Sequence, residues 1–471
     1  MAIEMTKRMI RSPGNPVANF PQSSTGIGGY APYSDYKDSG IEWLGKIPAH
    51  WGMKRLKYSA FINSDTLPET TDPDFVMSYI DIGNVDPYFG VVSSEEMTFQ
   101  NAPSRARRIV HDGDTIISTV RTYLGAIALI HDLTPNTIVS TGFATIRPHK
   151  SVPKFMSYVL REAGFVGEIV ARSVGVSYPA VNASEVGDIS IPLPDLREQQ
   201  AIATYLDRET KKIDALIEKQ EQLINLLKEK RTALISHAVT KGLNPDAPLK
   251  DSGIEWLGEI PAHWGVTAAK KQFSIQLGKM LQKSPTRRGD TEVPYLKARH
   301  VQWFSVDASS LPTMWIGERE SEKYCVQEGD LVVCEGGEGG RCGLVQKVPD
   351  NCIIQNALHR VREAKNGESR VEYLQYVISA VSSAKWFDAT NSKATIAHFT
   401  KDKFNELSIP VPSHAEQCSI ATFLDRETAK IDTLISKIHQ TIELQKESRS
   451  ALITAAVTGK MDVRQKSIST A

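Results

Sequence analysis

Residues 37–52 read KDSGIEWLGKIPAHWG, and residues 250–265 repeat this string with a single change at its tenth position. A second pair of strings follows, IPLPD at 191–195 and IPVPS at 409–413, and each leads into an almost identical IAT(Y/F)LDRET segment. Self-similarity over so long a period indicates a repeated folding unit. The sequence therefore predicts a tandem duplication in which the same two strings frame each copy.

The segments between the repeated strings, residues 53–190 and 266–408, share little sequence. A few landmarks still correspond, such as DGD at 112–114 and EGD at 328–330. Matching connectors around divergent interiors predict one scaffold that presents two different surfaces. Such a protein is suited to recognising two different targets.

A long helix is predicted after each IPxP string. Each helix begins with a capping box, in which a cap side chain and a glutamate satisfy backbone N–H groups reciprocally: Asp195 with Glu198, and Ser413 with Glu416. Gly242 ends the first helix. About 45 residues at ~1.5 Å per residue give each helix a length on the order of 65 Å.

Apolar residues in both helices recur every seven positions, which predicts a coiled-coil seam. The predicted helix-pairing positions are Leu206, Ile213, Gln220, Leu227, Leu234, Leu424, Ile431, Ile438, Gln445 and Leu452. We place Leu216, Leu223 and Leu434 in the seam as well. The alternative is two ordinary core helices, each packed against its own domain.

Polar residues interrupt the seam at Gln220 in the first helix and at Gln445 in the second. Pseudo-two-fold symmetry between the copies would make the helices antiparallel and bring these amides into the same or adjacent layers. There they could hydrogen-bond to each other, because an unpaired buried amide is costly. The alternative places both glutamines at the solvent-facing edge of the seam.

The two interiors combine predicted strands with predicted helices. Strands are expected at 115–120, 126–130 and 330–334, and helices at 155–170 and 371–387. The predicted fold class is α+β: two mixed α/β domains in tandem, related by pseudo-two-fold symmetry and joined by two long helices that form an antiparallel coiled coil. The predicted boundaries are a flexible N-terminal tail (1–35), the first domain (36–190), a central helical connector (191–242), the second domain (243–408), a distal helical connector (409–462) and a C-terminal tail (463–471).

Composition excludes several classes of protein. The 471 residues include 55 basic and 55 acidic side chains, so the overall charge does not favour nucleic-acid binding. No apolar run approaches the ~18 residues that a membrane span needs, and no signal sequence is evident, so we expect a cytoplasmic protein. The five cysteines lack the paired spacing of zinc ligands, and the sequence has no Gly-x4-Gly-Lys-Ser/Thr phosphate loop.

The repeated strings resemble those of a known family. KDSGIEWLGxIPxHW and the IPxP…EQ…IA…LD helix start are similar to the framing sequences of the specificity (S) subunit of type I restriction–modification enzymes, from Tyr36 to about Asp462. The resemblance implies a non-catalytic DNA-binding subunit with two target-recognition domains. Each domain would read one half of a bipartite, asymmetric DNA site, and the two helices would pair antiparallel.

The resemblance also implies partners. These are double-stranded DNA, two methyltransferase (M) subunits and two motor–nuclease (R) subunits, with no membrane. S-adenosylmethionine, ATP and Mg²⁺ would be bound by the partner subunits, with no cofactor, metal or catalytic residue in this chain. The complex as a whole would be an adenine-specific DNA methyltransferase and a type I restriction endonuclease. The alternative interpretation is a cytoplasmic coiled-coil protein-interaction scaffold.

Candidate DNA-binding residues lie mainly in two loops of each copy, one after the DGD or EGD strand and one before the long helix. Arginine can fork to guanine and glutamate can accept from cytosine, while glycines allow a close backbone approach. The candidates are Arg105, Arg107, Arg108, Arg121, Thr122, Tyr123, Ser173, Ser177, Tyr178, Arg287, Arg288, Lys297, Arg299, Trp303, Glu335, Arg341, Asn391, Ser392 and Lys393.

Overall fold

The chain divides into two compact units. Unit 1 comprises residues 1–219 and 441–471, and unit 2 comprises residues 220–440. The computed structural model describes residues 30–364, 367–384 and 398–464. Each unit combines the interior of one repeat with a segment of each long helix.

Unit 1 is built largely of short strands. They are β1 (Tyr36–Asp38), β2 (Lys46–Pro48), β3 (Gly52–Arg55), β4 (Ala60–Ile62), β5 (Val76–Ile80), β6 (Val85–Asp86), β7 (Gly90–Val91), β8 (Glu95–Thr98), β9 (Ala106–Ile109), β10 (Thr115–Ser118), β11 (Ile127–Leu129), β12 (Thr137–Ser140), β13 (Phe143–Pro148) and β14 (Ser190–Leu193). Its helices are α1 (Pro153–Leu160), α2 (Ala163–Arg172), α3 (Ala183–Gly187) and the N-terminal part of α4 (Leu196–Lys241).

Unit 2 has a similar set of elements. Its strands are β15 (Leu249–Asp251), β16 (Glu259–Pro261), β17 (Gly265–Ala268), β18 (Phe273–Leu277), β19 (Thr291–Leu296), β20 (Val301–Gln302), β21 (Ser305–Val306), β22 (Thr313–Ile316), β23 (Leu331–Cys334), β24 (Cys342–Leu344), β25 (Ile353–Ile354), β26 (Leu358–Glu363) and β27 (Ser408–Val411). Its helices are α5 (Glu318–Tyr324), α6 (Val371–Ser383), α7 (Lys401–Glu406) and most of α8 (His414–Val457), whose end belongs to unit 1.

The two units share one topology. The sheet β4-β13-β10-β11 of unit 1 corresponds to β18-β26-β23-β24 of unit 2, and both are antiparallel. A second sheet, β8-β5-β12 in unit 1 and β22-β19-β25 in unit 2, contains one parallel pair in each case. In both units the strand after the repeated connector pairs with the IPxP strand, β3 with β14 and β17 with β27. The fold therefore confirms the tandem duplication.

Residues 155–170, which we predicted as one helix, form most of α1 and most of α2. Glu162 separates them, because its backbone is extended and its carboxylate accepts hydrogen bonds from the N–H groups of Gly164 and Phe165. Both helices turn an apolar face to the core of unit 1, where Phe155 and Phe165 are fully buried. The prediction that these residues are helical is confirmed, but the prediction of one continuous helix was wrong. In unit 2, the helix predicted at 371–387 is observed as α6, which ends at Ser383. Residues 385–387 lie outside the described part of the chain.

The long helices begin where the capping boxes predicted. At α8 the box is complete, since Glu416 accepts from the N–H of Ser413 and the hydroxyl of Ser413 accepts from the N–H of Glu416. At α4 only one half forms, with Asp195 accepting from the N–H of Glu198. The carboxylate of Glu198 instead contacts Tyr33 and His50.

One series of seam positions in α4 was predicted wrongly, because the buried residue in each case is the one that follows the predicted leucine. Ile217 and Ile224 are buried at 1% and 4% exposure, whereas Leu216 and Leu223 are 50% and 45% exposed. Leu434 in α8 is likewise 49% exposed. One residue turns an α-helix by about 100°, which carries these leucines away from the packed face.

Contacts within each unit show the direction of the two helices. In unit 1, Tyr205 lies 4.0 Å from Met461, and Asp214, later in the first segment, pairs with Arg449, earlier in the second, at 2.8 Å. The order of contacts is therefore reversed between the two segments. In unit 2, Arg231 pairs with Asp432 at 3.1 Å. The two segments within unit 1 therefore run antiparallel, while an antiparallel pairing in unit 2 and along the full length stays a prediction.

The predicted contact between the two amides would join unit 2 to unit 1, and it stays a prediction. Gln220 belongs to unit 2 and Gln445 to unit 1. The Oε1 atom of each is buried and accepts no hydrogen bond from the described residues. The polar contacts found between the helices inside the units are the arginine–aspartate pairs instead.

Each repeated connector packs against the end of a helix. In unit 1, Trp51 is fully buried, and a Cβ added to Gly459 would lie 2.2 Å from Cδ of Pro48 and 3.2 Å from the Trp51 ring. In unit 2, a Cβ on Gly242 would lie 3.1 Å from the ring of Trp264. The tryptophan of each connector therefore requires a glycine where the helix ends.

The predicted N-terminal tail is partly structured. Tyr30 and Tyr33 are buried in the core of unit 1, so the domain begins earlier than residue 36. Residues 1–29 lie outside the described part, as do residues 465–471 of the predicted C-terminal tail. Of the helices that the structure describes, none combines the length and the apolar character needed to cross a bilayer.

Candidate nucleic-acid interface

Two loops far apart in the sequence meet in unit 1. The hydroxyl groups of Thr122 and Ser173 are 2.7 Å apart. The guanidinium of Arg121 lies over the ring of Tyr178, 4.8 Å from its centroid. Residues 119–124 and 173–181 therefore form one surface, which we call loop cluster 1. It also carries the predicted residues Tyr123 and Ser177, both exposed.

Backbone hydrogen bonds hold the second of these loops in shape. The N–H groups of Val174 and Ala180 each donate to the other's carbonyl, at 2.8 and 3.0 Å, and close a hairpin over residues 175–179. The N–H of Arg121 donates to the carbonyl of Pro179 at 2.8 Å. The hairpin is thus attached to the chain that leaves β10, which is a strand of the central sheet.

Arg121 has a left-handed backbone conformation, with φ at 50°. For a residue with a Cβ this conformation costs of order 1–3 kcal/mol and persists only where neighbours fix it. In unit 2, Gly337 occupies the same place after the equivalent strand β23 and has φ at 79°. The strain at Arg121 is held by its hydrogen bond to Pro179, and the side chain stacks on Tyr178.

The three arginines on or beside β9 make contacts within their own domain. Arg105 pairs with Asp81 at 2.5 Å, and Arg107 lies 4.4 Å above the ring of Phe99. Burial lowers the pKa of Arg108, whose Nε is buried without a hydrogen-bond partner among the described residues. These arginines are therefore better placed to stabilise the domain than to contact DNA.

A corresponding surface exists in unit 2. We call residues 297–303 and 335–341 loop cluster 2. The carboxylate of Glu338 accepts hydrogen bonds from the indole N–H of Trp303 at 2.6 Å and from Arg341 at 3.2 Å. Arg341 also donates to the carbonyl of Ala298 at 3.1 Å. Its guanidinium is engaged inside the loop, and a contact with guanine would require these hydrogen bonds to break.

Lys297 and Arg299 flank the turn that faces this loop. Burial, together with the neighbouring charges of Arg299 and Lys297, lowers the pKa of His300. The carbonyl of Glu335 accepts from the N–H of Phe399 at 2.7 Å, which fixes the start of the glycine-rich loop. The structure therefore brings five predicted residues of the second domain together.

The other predictions for unit 2 have different outcomes. Arg287 and Arg288 lie in an exposed turn, in which the backbone N–H of Arg287 donates to Asp290 at 3.1 Å. Among the described residues, this turn makes no hydrogen bond or ion pair with loop cluster 2. The predicted residues Asn391, Ser392 and Lys393 lie outside the part of the chain that the structure describes.

The contacts that attach the connectors to the helices were not predicted from the sequence. Glu198 accepts from the hydroxyl of Tyr33 at 2.7 Å, and His50 lies 2.8 Å from its other oxygen. In unit 2, His263 makes the same contact with Glu416 at 2.8 Å. Burial raises the pKa of the Glu416 carboxyl, but hydrogen bonds from His263, Ser413 and Trp264 outweigh it and bring the pKa to about 2. The repeated histidines therefore anchor helices.

An arginine that joins the helices to each domain was also not predicted from the sequence. In unit 1, Arg449 bonds Asp214 and donates to the carbonyl of Tyr88 at 3.3 Å. In unit 2, Arg231 pairs with Asp432 and lies 4.6 Å above the ring of Phe304. Tyr88 and Phe304 precede the DGD and EGD landmarks by the same distance.

The sequence did contain a signal for this arrangement. The string IDALI at 213–217 recurs as IDTLI at 431–435, and RTALI at 231–235 recurs as RSALI at 449–453. Both strings repeat a charged residue beside apolar ones that face the seam. These strings therefore mark, in both copies, positions at which a polar contact across the seam can form.

A cleft of about 800 Å³ in unit 1 borders this contact. Lys154, Asp207 and Arg161 are among the side chains that line it. Burial, together with the nearby charge of Arg449, lowers the pKa of Arg161 to about 10. The guanidinium of Arg161 donates to the carbonyl of Tyr88 at 2.7 Å. Charges of both signs face the cleft, so it shows no preference for an anion or a cation.

The described residues contain no cluster of three or more histidine, cysteine, aspartate or glutamate side chains arranged to bind a metal ion. Cys334, Cys342 and Cys352 are buried, and burial raises the pKa of each thiol. These thiols pack as small apolar groups in the core of unit 2.

Comparison with known proteins gives a consistent result. The family described as type I restriction modification DNA specificity domain matches residues 53–226 and again residues 262–444. The type I restriction enzyme EcoKI specificity subunit of Escherichia coli K12 is 22% identical over 327 residues, covering 67% of each chain. The MjaIX specificity subunit of Methanocaldococcus jannaschii is 23% identical over 342 residues, covering 69% of this chain and 74% of its own.

A solved structure shows the same fold. It comes from work on complex assembly and conformational transition of the type I R-M system. The alignment covers 88% of this chain and 99% of that one, with a TM-score of 0.67 and 21% sequence identity.

Proposed function

Because the chain belongs to the type I restriction modification DNA specificity family, we propose that it is the non-catalytic subunit that selects the DNA sequence for a type I restriction–modification complex. The observation that carries this proposal is the duplicated fold, in which two units share one strand order but present different loops. Two different surfaces on one repeated scaffold suit a bipartite and asymmetric DNA site.

Loop cluster 1 has the chemistry of a base-reading surface. The guanidinium of Arg121 stacks on Tyr178 instead of pairing with a described carboxylate, so its N–H groups can fork to guanine O6 and N7. Stacking restricts the side chain before binding, which lowers the entropy lost when the contact forms. Loop cluster 2 offers Glu338 and Arg341 in a preformed network, with Lys297 and Arg299 beside it for phosphates.

The charge balance implies that partners contribute to DNA affinity. Residues 53–190 contain 12 basic and 15 acidic side chains, and residues 266–408 contain 20 and 17. Non-specific DNA affinity depends on how many phosphates a protein neutralises. We therefore assign sequence selection to these nearly neutral domains and most of the phosphate contacts to the methyltransferase subunits.

Exposed leucines on the helices support two copies of one partner. Leu216 and Leu434 occupy equivalent positions and are 50% and 49% exposed. Leu226 and Leu444 are equivalent as well and are 61% and 65% exposed. An apolar group that is kept exposed in both copies marks a repeated contact site. We assign these sites to two methyltransferase subunits, with two motor–nuclease subunits joining to complete the endonuclease.

The chemistry then belongs to the partners. S-adenosylmethionine would be bound by the methyltransferase subunits, and ATP and Mg²⁺ by the complete complex. This chain would hold the two long helices as an antiparallel coiled coil and present one recognition domain at each half-site. The complex is expected to work in the cytoplasm.

Exchange of one recognition domain tests the proposal. The chain is expressed with its methyltransferase partner, and adenine methylation is mapped across a host genome. Replacing residues 53–190 by the equivalent segment of another family member should change one half of the methylated sequence and leave the other half unchanged. Change in both halves, or loss of sequence preference with the complex intact, would refute independent reading.

A pair of helix variants separates this function from a general scaffold. Changing Leu216 and Leu434 together to aspartate should abolish co-purification of the methyltransferase, because charges would be buried at both contact sites. The matched control changes Leu249 and Leu281, which are 44% and 42% exposed but lie outside the helices. A protein-interaction scaffold would show partner binding without any sequence-specific methylation.

A further inference from the structure

The hairpin of loop cluster 1 carries apolar side chains that the fold leaves largely exposed. Val176 is fully exposed, Val174 is 80% exposed and Tyr178 is 66% exposed. None of the three contributes its exposed surface to the core of unit 1. Apolar groups gathered on one loop gain free energy only when a partner covers them.

The exposure of these side chains is a property of an ordered turn. Two backbone hydrogen bonds between Val174 and Ala180 close the hairpin, and Pro179 bonds the backbone of Arg121. Gly175 has φ at 119°, and a Cβ there would lie 3.1 Å from the carbonyl oxygen of Tyr178. The turn therefore depends on this glycine and presents the next residue, Val176, at its outer point.

Resting on the proposed function, we infer that Val176 reads thymine by packing against its C5-methyl group in the major groove. The methyl group of thymine is the one apolar group that base pairs expose in that groove, and small apolar side chains recognise it. The minor groove offers no methyl group. A branched aliphatic side chain at the tip of a narrow hairpin matches this target in size and chemistry.

The neighbouring groups fit the same placement. The guanidinium of Arg121 lies on Tyr178 beside the tip, where it can contact an adjacent guanine or phosphate. A purely apolar protein partner would leave this cation without a counterpart in the contact. A wedge between base pairs calls for a larger apolar side chain than valine in most minor-groove proteins. A thymine therefore accounts for the valine, and the adjacent guanine or phosphate accounts for the arginine.

Uracil substitution gives the direct test. The half-site read by the first domain is identified by the exchange of residues 53–190, and each thymine in it is replaced singly by deoxyuridine. At one position, loss of the methyl group should lower kcat/KM for adenine methylation by the complete complex about fourfold, as expected for one buried methyl group. Val176→Ala should reduce this thymine-to-uracil ratio to about one.

The control is Val92→Ala, which removes a 57% exposed valine elsewhere in unit 1 and should keep the fourfold ratio. Thermal unfolding of both variants should match that of the unchanged chain, and Val176→Ser provides a second variant. A half-site without thymine, or equal use of thymine and uracil at every position, would overturn the inference and leave the proposed function intact. Unstacking of 2-aminopurine beside the contact would show a wedge instead. Absence of any sequence-specific methylation would refute the proposed function first.

Discussion

Asp214 and Arg449 lie 235 positions apart in the chain, yet the carboxylate of one accepts hydrogen bonds from the guanidinium of the other at 2.8 and 3.2 Å. The side chain of Arg449 is only 7% exposed. The same guanidinium reaches the carbonyl of Tyr88 in the recognition domain. One residue thus ties both long helices and the first domain together within unit 1.

Arg449→Met should destabilise unit 1 by about 2–3 kcal/mol, because it leaves the carboxylate of Asp214 without its partner in a partly buried seam. Urea unfolding of the full chain measures the loss. In a double-mutant cycle, Asp214→Asn should cost much less when Arg449 is already methionine. The control Arg426→Met removes an arginine whose side chain is 64% exposed and should leave the midpoint unchanged. Additive losses in the cycle would mean that the pair does not couple.

The duplication could be predicted from the sequence because its signal was linear. The long repeated strings could be recognised without any knowledge of packing. The contact between Arg449 and Tyr88 could not be deduced in the same way, since it depends on which helix end returns to which domain. That pairing is a property of the closed fold, and hydrophobic periodicity along one helix carries no information about it.

Gly459→Ala should destabilise unit 1 strongly. Its φ is 71°, and the new Cβ would lie 2.2 Å from Cδ of Pro48, so steric overlap adds to the cost of the left-handed backbone. We expect a loss of about 2–5 kcal/mol by thermal or denaturant unfolding. Gly40→Ala is the matched control, because its φ is 72° and nothing lies within 4 Å of the added Cβ. Equal losses for the two variants would show that backbone strain alone matters.

The seam shows where sequence periodicity reaches its limit. Leucine and isoleucine alternate at adjacent positions, as in Leu216 and Ile217, so a seven-residue step fits either series. Only the packed structure shows that Ile217 faces inward. The exposed leucines remain unexplained by folding, which is why they point to a partner. Likewise, nothing in the sequence indicated that Arg121 contacts Tyr178. The two loops are far apart in the sequence, and the folded domain brings them together.

His359 should make the stability of unit 2 depend on pH. Burial lowers its pKa to about 4, although its hydrogen bond to the carbonyl of Phe399 acts in the opposite direction. The unfolded chain binds a proton near pH 6.5 and the folded chain only near pH 4, so stability falls as the pH decreases between these values. The expected loss is about 3 kcal/mol between pH 7 and pH 4.

Hydrogen exchange of the β26 amides at several pH values measures this dependence. His359→Gln keeps a donor near the Phe399 carbonyl but cannot titrate, so it should flatten the profile. His237→Gln removes an exposed histidine of the same unit and should leave the profile steep. A profile that remains steep in His359→Gln would assign the dependence to carboxylates instead.

Arg121 and Arg341 should differ in their effect on DNA recognition. Both follow equivalent strands, but the guanidinium of Arg121 rests on Tyr178, whereas that of Arg341 is bonded to Glu338 and Ala298. Arg121→Ala should cost about 1–3 kcal/mol at its cognate base pair and relax specificity at that position alone. Competition between the target and single-base variants, at fixed salt, measures the change.

Arg341→Ala tests whether Arg341 contributes to recognition mainly through its hydrogen bonds inside the loop or mainly through a direct contact with a base. If Arg341 leaves Glu338 to fork to guanine, its removal should relax one base pair of the second half-site, as for Arg121 in the first. If it stays bonded to Ala298, the variant should loosen the glycine-rich loop and weaken several positions together, while Arg341→Lys fails to restore two forked hydrogen bonds. The structure favours the second outcome, because moving Arg341 would leave Glu338 with only the indole of Trp303. Relaxation confined to one base pair would show that DNA binding rearranges the loop and that Arg341 reads a base directly.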